Sequence, residues 1–195
     1  MWKSAAPLAA LVAAVALIPN CFGQVVSDGS FEQAKVNENS WVQGGESSGW
    51  TFNQFSGIAR GNGAWGRFAH SGEQYAFLQS RGEGVGMMSQ VIKGLTIGQE
   101  YRVYFWTARR NTAYPPIQAA NVAIPITVLV DNATAFDFAS TKGVGEWSLH
   151  TTRPFIAKTS GITLTFMAKS SEDSRDRTTL IDDVVLAPVF ERESR

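Results

Sequence analysis

Apolar positions follow two patterns along this chain. The first is continuous: residues 5–18 are an unbroken apolar run behind the short positive start Met1-Trp2-Lys3, and Pro19-Asn20 ends it. Small residues, Cys21 and Gly23, stand three and one places before Gln24, the arrangement of a cleavable secretory leader. The run is too short for a membrane span, which needs about 20 apolar residues. The expectation is therefore a signal peptide over 1–23, one domain over 24–195, and no membrane anchor. The second pattern alternates with period two, in short stretches divided by Gly, Asn, Ser and Pro. Its clearest case is Tyr101–Arg109. There Tyr101, Val103, Phe105 and Thr107 share one face, and Arg102, Tyr104, Trp106 and Ala108 share the other. Further strands are expected at Val25-Val26 with Phe31, and over 50–52, 57–60, 74–79, 87–92, 124–131, 147–155, 162–168 and 178–186. No stretch keeps a 3.6-residue period for three turns, so an α/β fold is not expected. About nine or ten strands, several roughly ten residues from turn to turn, predict an all-β antiparallel sandwich or barrel.

Composition agrees with that class and removes several functions. The 22 aromatics (6 Trp, 4 Tyr, 12 Phe) and 18 glycines suit a turn-rich β protein. Lys plus Arg is 17 and Asp plus Glu is 17, so no basic excess exists to neutralise phosphates, and a nucleic-acid binder is not expected. The mixed-sign stretch 172–177 reads as a solvated loop. The single cysteine, Cys21, falls inside the leader. A mature exported domain without disulfides rests on its core, with a bound ion as an aid.

Several motifs are present only as text. Gly61-Asn62-Gly63-Ala64-Trp65-Gly66 spells a dinucleotide fingerprint, but no helical stripe follows to hold a pyrophosphate. It reads as a glycine-rich loop. Gly45-Glu46-Ser47-Ser48-Gly49 spells a nucleophile elbow, but reads as a polar loop before Trp50, with no strand before it and no helix after. His70 in a turn and His150 in a strand are the only histidines. They offer neither a zinc set nor an evident base for a serine. No Asp/Glu pair has a spacing that marks a glycosidase. An enzyme is not expected. Asn132-Ala133-Thr134 is an N-glycosylation sequon placed just after a strand, where a surface turn is expected.

A succession of short pieces carries more information than any of them alone. It begins with Val26-Ser27-Asp28-Gly29-Ser30-Phe31-Glu32, Gly49-Trp50 and Gly57-Ile58-Ala59-Arg60-Gly61-Asn62-Gly63. Gly72–Gln79, Met88-Ser89-Gln90-Val91 and Gly94–Tyr101 follow. Phe105–Arg110, Val128–Asp131, Thr163–Phe166 and Leu180-Ile181-Asp182-Asp183-Val184 complete it. In this order and spacing, over nearly all of residues 24–195, the chain resembles the galactose-binding-like jelly-roll domains. The likeness is nearest to secreted carbohydrate-binding modules of bacteria and to plant cell-wall proteins of unassigned function.

The resemblance implies a β-sandwich whose two chain ends lie close together. It also implies a structural calcium where the first strand meets the last, with Glu32 and Asp182 as ligands and Asp28 and Asp183 next. Calcium takes six to eight oxygens from carboxylates and carbonyls, which suits those residue types. The alternative is that these carboxylates merely cap strand ends.

Sugars are held by aromatic faces flanked by a few polar groups. The candidates are Trp65 in the glycine-rich loop, Tyr104 and Trp106 on the central strand, Tyr114 before Pro115-Pro116, and Arg109 and Arg110. The two arginines also match the arginine-bearing position of the resembling family. The alternative for Trp106 is packing alone, and for the arginines surface ion pairs worth little. Trp50, Phe52, Phe77, Phe105, Trp147, Phe155 and Phe166 are expected in the core. Two functions stay open. One is a secreted, non-catalytic module binding a polysaccharide or cell-wall glycan. The other is a structural or adhesive extracellular protein using the same sandwich for protein contacts.

Overall fold

A computed structural model describes residues 26–63, 65–82, 84–111, 124–139, 146–170 and 177–190. The proposed leader, Tyr114 and the mixed-charge stretch up to Asp176 lie outside the described residues. Among the described residues there are twelve strands and no helix. They are β1 (Trp41–Ser47), β2 (Trp50–Arg60), β3 (Gln74–Arg81), β4 (Gly84–Val85), β5 (Met87–Lys93) and β6 (Glu100–Arg109), then β7 (Ile126–Val130), β8 (Thr134–Phe138), β9 (Ser148–Thr151), β10 (Phe155–Ile156), β11 (Gly161–Ala168) and β12 (Arg177–Pro188). Hydrogen-bonded neighbours follow the order β10-β6-β12-β3-β2-β5-β11-β7-β8, with β1 on β2, β4 on β3 and β9 on β6. All pairings are antiparallel.

Strand β2 turns this ladder into a sandwich. Its first part, Thr51-Phe52, pairs with β5, and its second, Ser56–Arg60, pairs with β3. The two half-sheets on either side of that bend close over one core. Phe105 from β6 meets Phe166 from β11 edge to face at 5.1 Å. Trp50, Leu78, Met88, Val103, Val128, Leu164 and Ile181 fill the space around them. The alternation along β6 is as the sequence reads: Tyr101, Val103, Phe105 and Thr107 are buried, while Arg102, Tyr104 and Trp106 are half-buried on the opposite face. His150 is packed inward, between Phe105 and Phe138.

Three expectations are corrected. The start of the domain is a set of turns rather than a strand: Asp28 and Phe31 take φ of 45° and 60°, and Phe31 is fully buried. The Gly45–Gly49 region is not a loop without a preceding strand. It is the end of β1 and a two-residue hairpin turn, with Ser48 and Gly49 at φ of 53° and 88°. A hairpin offers no helix to a serine, so it builds no elbow. The span 147–155 is two strands, β9 and β10, with Pro154 between them. Strands β1 and β8 were not foreseen: β1 does not alternate and is exposed almost throughout, and in β8 the alternation is confined to Phe136-Asp137-Phe138, too short a run to mark a strand.

The first described turn docks on the last strand. Val184 donates to the Gly29 carbonyl at 2.8 Å, and a Cβ on Gly29 would collide with the Val184 carbonyl. This docking falls on a β-bulge in β12, where the register against β6 shifts between Asp182 and Val185 and Asp183 takes φ of 48°. A bulge of this kind re-aims side chains, and the residues it re-aims are the paired carboxylates. Asp131 and Asn132, both at positive φ, turn the chain between β7 and β8, which leaves Asn132 exposed at a hairpin tip.

Candidate ligand-binding face

The outward face of the half-sheet β1-β2-β3-β12-β6-β9 carries a second, smaller apolar cluster. Ala59, Tyr75, Phe77, Leu180 and Ala108 form its floor, and Trp65, Ala69 and Trp147 cover it. Register explains the floor. Ala59 pairs with Tyr75, Phe77 with Leu180, and Leu180 with Ala108, so side chains of one parity line up across four strands. Residues 61–63 and 65–71 belong to the segment above that row. Trp65 lies on Phe77 at 4.9 Å, with Trp41 at 6.2 Å on one side and the Arg110 guanidinium at 4.9 Å on the other.

The turn is tied down at several points. Asn111 donates to the Trp65 carbonyl, Trp147 Nε1 donates to the Phe68 carbonyl, and the Tyr75 hydroxyl lies within 3.2 Å of the Gly61 and Arg67 carbonyls. Burial pushes the Tyr75 hydroxyl well above its ordinary pKa, so it stays protonated and able to donate.

Two carboxylates grip the far end of the same turn. Asp182, with no exposed surface, accepts the N–H of His70 at 2.8 Å and of Ser71 at 3.2 Å on Oδ2, and that of Asp183 on Oδ1. Burial, and then the Asp183 charge, push its pKa up to about 8 against the pull of those amides. Glu32 Oε1 accepts the next amides, Glu73 at 2.8 Å and Gln74 at 2.7 Å. Asp183 takes the side chains: His70 Nδ1 at 2.6 Å and the Ser71 hydroxyl at 2.6 Å. The His70 ring lies flat on Trp106, 3.8 Å between centroids and 18° between planes, with Trp147 edge-on at 6.0 Å.

The structure thus sorts the expected site residues. Trp65 and Arg110 come together, and both are buried. Tyr104 and Trp106 share their face. Arg109 is on the opposite parity of β6, beside Thr179. Glu32 and Asp182 reach one turn from two sides, while Asp28 caps the Gln33 amide nearer the start of the chain. Among the described residues no three His, Cys, Asp or Glu side chains converge as a metal cluster.

Sequence reasoning missed Trp41, Gln43, Gln79 and His70. Gln43 pairs with Gly57 beside Trp41, and its amide lies 3.3 Å from that of Gln79, which neighbours Thr178. The half-exposed Trp41 was detectable as a tryptophan without a helical or alternating frame. His70 carried no such signal. Among the described residues, the Trp65 indole N–H and the Thr178 hydroxyl on this face are buried without a hydrogen-bond partner, their residues only 5% and 3% exposed. Buried polar groups are nearly always paired, so this is unspent capacity.

This architecture is an antiparallel β-sandwich of the jelly-roll type, and several solved structures share it. Solved structures of the same fold include TmCBM61 in complex with β-1,4-galactotriose, with a TM-score of 0.54 at 20% identity, over 85% of this chain and 99% of that one. They also include an arabinose-bound α-L-arabinofuranosidase, MgGH51, with a TM-score of 0.58 at 8% identity, over 86% of this chain and 26% of that one. The enzymatically active domain of bacteriophage CBA120 tailspike protein 4 gives 0.52 at 13% identity, over 85% of this chain and 21% of that one. At these identities the likeness is one of fold. No protein-family model matches the sequence, and no curated protein does. Among the described residues no helix is long and apolar enough to cross a membrane.

Proposed function

We propose that this chain is a secreted, non-catalytic carbohydrate-binding module that holds a glycan on the outward face of its β1-β2-β3-β12-β6-β9 half-sheet. One observation carries the reading: rings, amides and unspent polar atoms gather on that face around Trp41, Trp65, Gln43, Gln79 and Thr178. An apolar platform with a few fixed polar groups is what a sugar ring requires. Arg110 braces Trp65 there, and Tyr104 and Trp106 extend the face. The leader pattern of residues 1–23 supports secretion. The non-catalytic reading is supported by Asp183, whose two oxygens are held by the His70 ring and the Ser71 hydroxyl.

Calcium belongs to the same proposal. Glu32 and Asp182 stand on either side of the 70–74 turn, and a buried carboxylate whose charge is disfavoured suits a hard cation. Backbone carbonyls would complete the oxygen set. A melting temperature that falls on adding chelator supports the ion; an unchanged one removes it.

The test of function is binding of the purified chain to a glycan array, followed by titration with soluble β-1,4-galactan, the polymer of the sugar in the TmCBM61 complex. Binding lost in Trp41→Ala with the melting temperature kept supports the reading. A folded chain that binds no glycan ends it and leaves the protein-contact alternative.

A further inference from the structure

We propose that this face carries a second glycan contact, on the other side of the 61–71 turn, formed by Arg102, Tyr104, Trp106 and His70; the inference rests on the carbohydrate-binding reading and assigns to it a polymeric ligand. Residues 102, 104 and 106 are successive outward positions of β6 and stand about 7 Å apart along the strand. Short side chains flank them. Tyr104 has Val185 and Thr151 as cross-strand neighbours, and Arg102 has Ala187, so the row stands open. Trp106 lies opposite Leu149, which is itself exposed.

Among the described residues, neither the Tyr104 hydroxyl nor the Arg102 guanidinium has a hydrogen-bond or ion-pair partner, and Arg102 Nε is buried as well as unpaired. His70 supplies the fixed group. Asp183 holds its Nδ1 and Trp106 sets the plane of the ring, so the other nitrogen, Nε2, points away from Asp183. The side chain remains partly exposed, 28%. The β12 bulge is what aims Asp183 at His70, so Asp183 is a positioning residue. An aromatic ring, a hydroxyl, an imidazole nitrogen and a forked guanidinium in one row match the hydroxyls and C–H faces of consecutive neutral sugar residues.

The row gives the face its reach. From Arg102 on β6 to Arg110 just past its end, beside Trp65, the extended chain spans about 27 Å. A trisaccharide fills one contact only. A polymer fills both, and the second contact then forms at the high effective concentration set by the first. Phe68, in the intervening turn, is exposed.

The experiment is calorimetric titration of the full chain, in calcium-containing buffer, with β-1,4-galacto-oligosaccharides of increasing length and with the polymer. Tyr104→Phe, which breaks no internal hydrogen bond, and His70→Gln are each expected to weaken polymer binding about three- to tenfold and to leave trisaccharide binding unchanged. Asp183→Asn, which keeps an oxygen for His70 Nδ1, is expected to retain polymer affinity, whereas Asp183→Ala falls to the level of His70→Gln. If His70→Gln melts early, Tyr104→Phe decides alone. Polymer affinity unchanged in Tyr104→Phe, or equal affinity for trisaccharide and polymer, overturns the second contact while leaving the first. Self-association of the chain through this row, seen by sedimentation and lost in Tyr104→Ala, also overturns it, in favour of a protein interface. No galactan binding by the wild-type chain, with binding to no other glycan on the array, removes both readings.

Discussion

The two outward faces of this sandwich are built on the same strand geometry and differ in what they carry. The β5-β11-β7 face presents Met87, Ser89 and Val91, Thr163, Thr165 and Met167, and Thr127 and Leu129: small or flexible side chains with no ring among them. Among the described residues no turn packs over it as Trp65 and Ala69 pack over the other face, and Val91 is 63% exposed. The opposite face presents tryptophans, a phenylalanine, a tyrosine and glutamines, and a braced turn runs over it. Both faces satisfy the fold equally. Rings, amides and unpaired polar atoms on only one of them therefore reflect something beyond the sandwich, and ligand contact is the reading they support.

The largest expected break in the comparison is Trp65→Ala. Removing a buried ring from between Phe77 and Arg110 is expected to cost about 3–5 kcal/mol in urea unfolding, as for other buried aromatic truncations. Val91→Ala on the plain face should stay within about 0.5 kcal/mol of wild type. Next is Asp182→Asn. The new amide group must face an N–H on one side, leaving a buried donor unpaired, with an expected loss of about 1–3 kcal/mol. Trp41→Ala comes third. Its expected effect is about tenfold weaker glycan binding, or about 1.4 kcal/mol, with little change in melting temperature, whereas Met87→Ala leaves binding untouched.

The smallest effect sharpens a comparison between the two histidines. His150 is packed between Phe105 and Phe138 with Nε2 2.8 Å from the Thr107 hydroxyl, and burial lowers its pKa. The folded chain then binds fewer protons than the unfolded one. Its contribution to stability is present above pH of about 6.5, the ordinary histidine value, and is lost as pH falls toward its folded pKa. A pH series of melting curves should show this slope, and His150→Gln should flatten it.

Much of the fold was legible because burial on one side of a strand forces period-two alternation. β6 shows it most plainly, and β3, β5, β11 and β12 fall within a few residues of their expected ends. β1 escaped because an exposed edge strand has no buried face to impose a pattern. The turns before β1 read as a strand because Val26 and Phe31 are apolar, yet they reach the core through positive-φ turns. At the site, tryptophan and arginine identities pointed to Trp65, Trp106 and Arg110. The grouping of Gln43 with Gln79, and of His70 with Asp183, joins positions 36 and 113 residues apart, and no local signal encodes such a meeting.

Sequence alone determined the class of this protein: an all-β antiparallel sandwich with no basic excess. Those properties follow from local alternation, turn chemistry and composition, which act over a few residues. Tertiary structure alone decided which outward face gathers the rings, that Glu32 and Asp182 clamp one turn from two sides, and that a bulge aims Asp183 at His70. Each of these depends on strand register and on close approach between distant segments. Register is set when the whole core closes, and no single stretch of chain contains it.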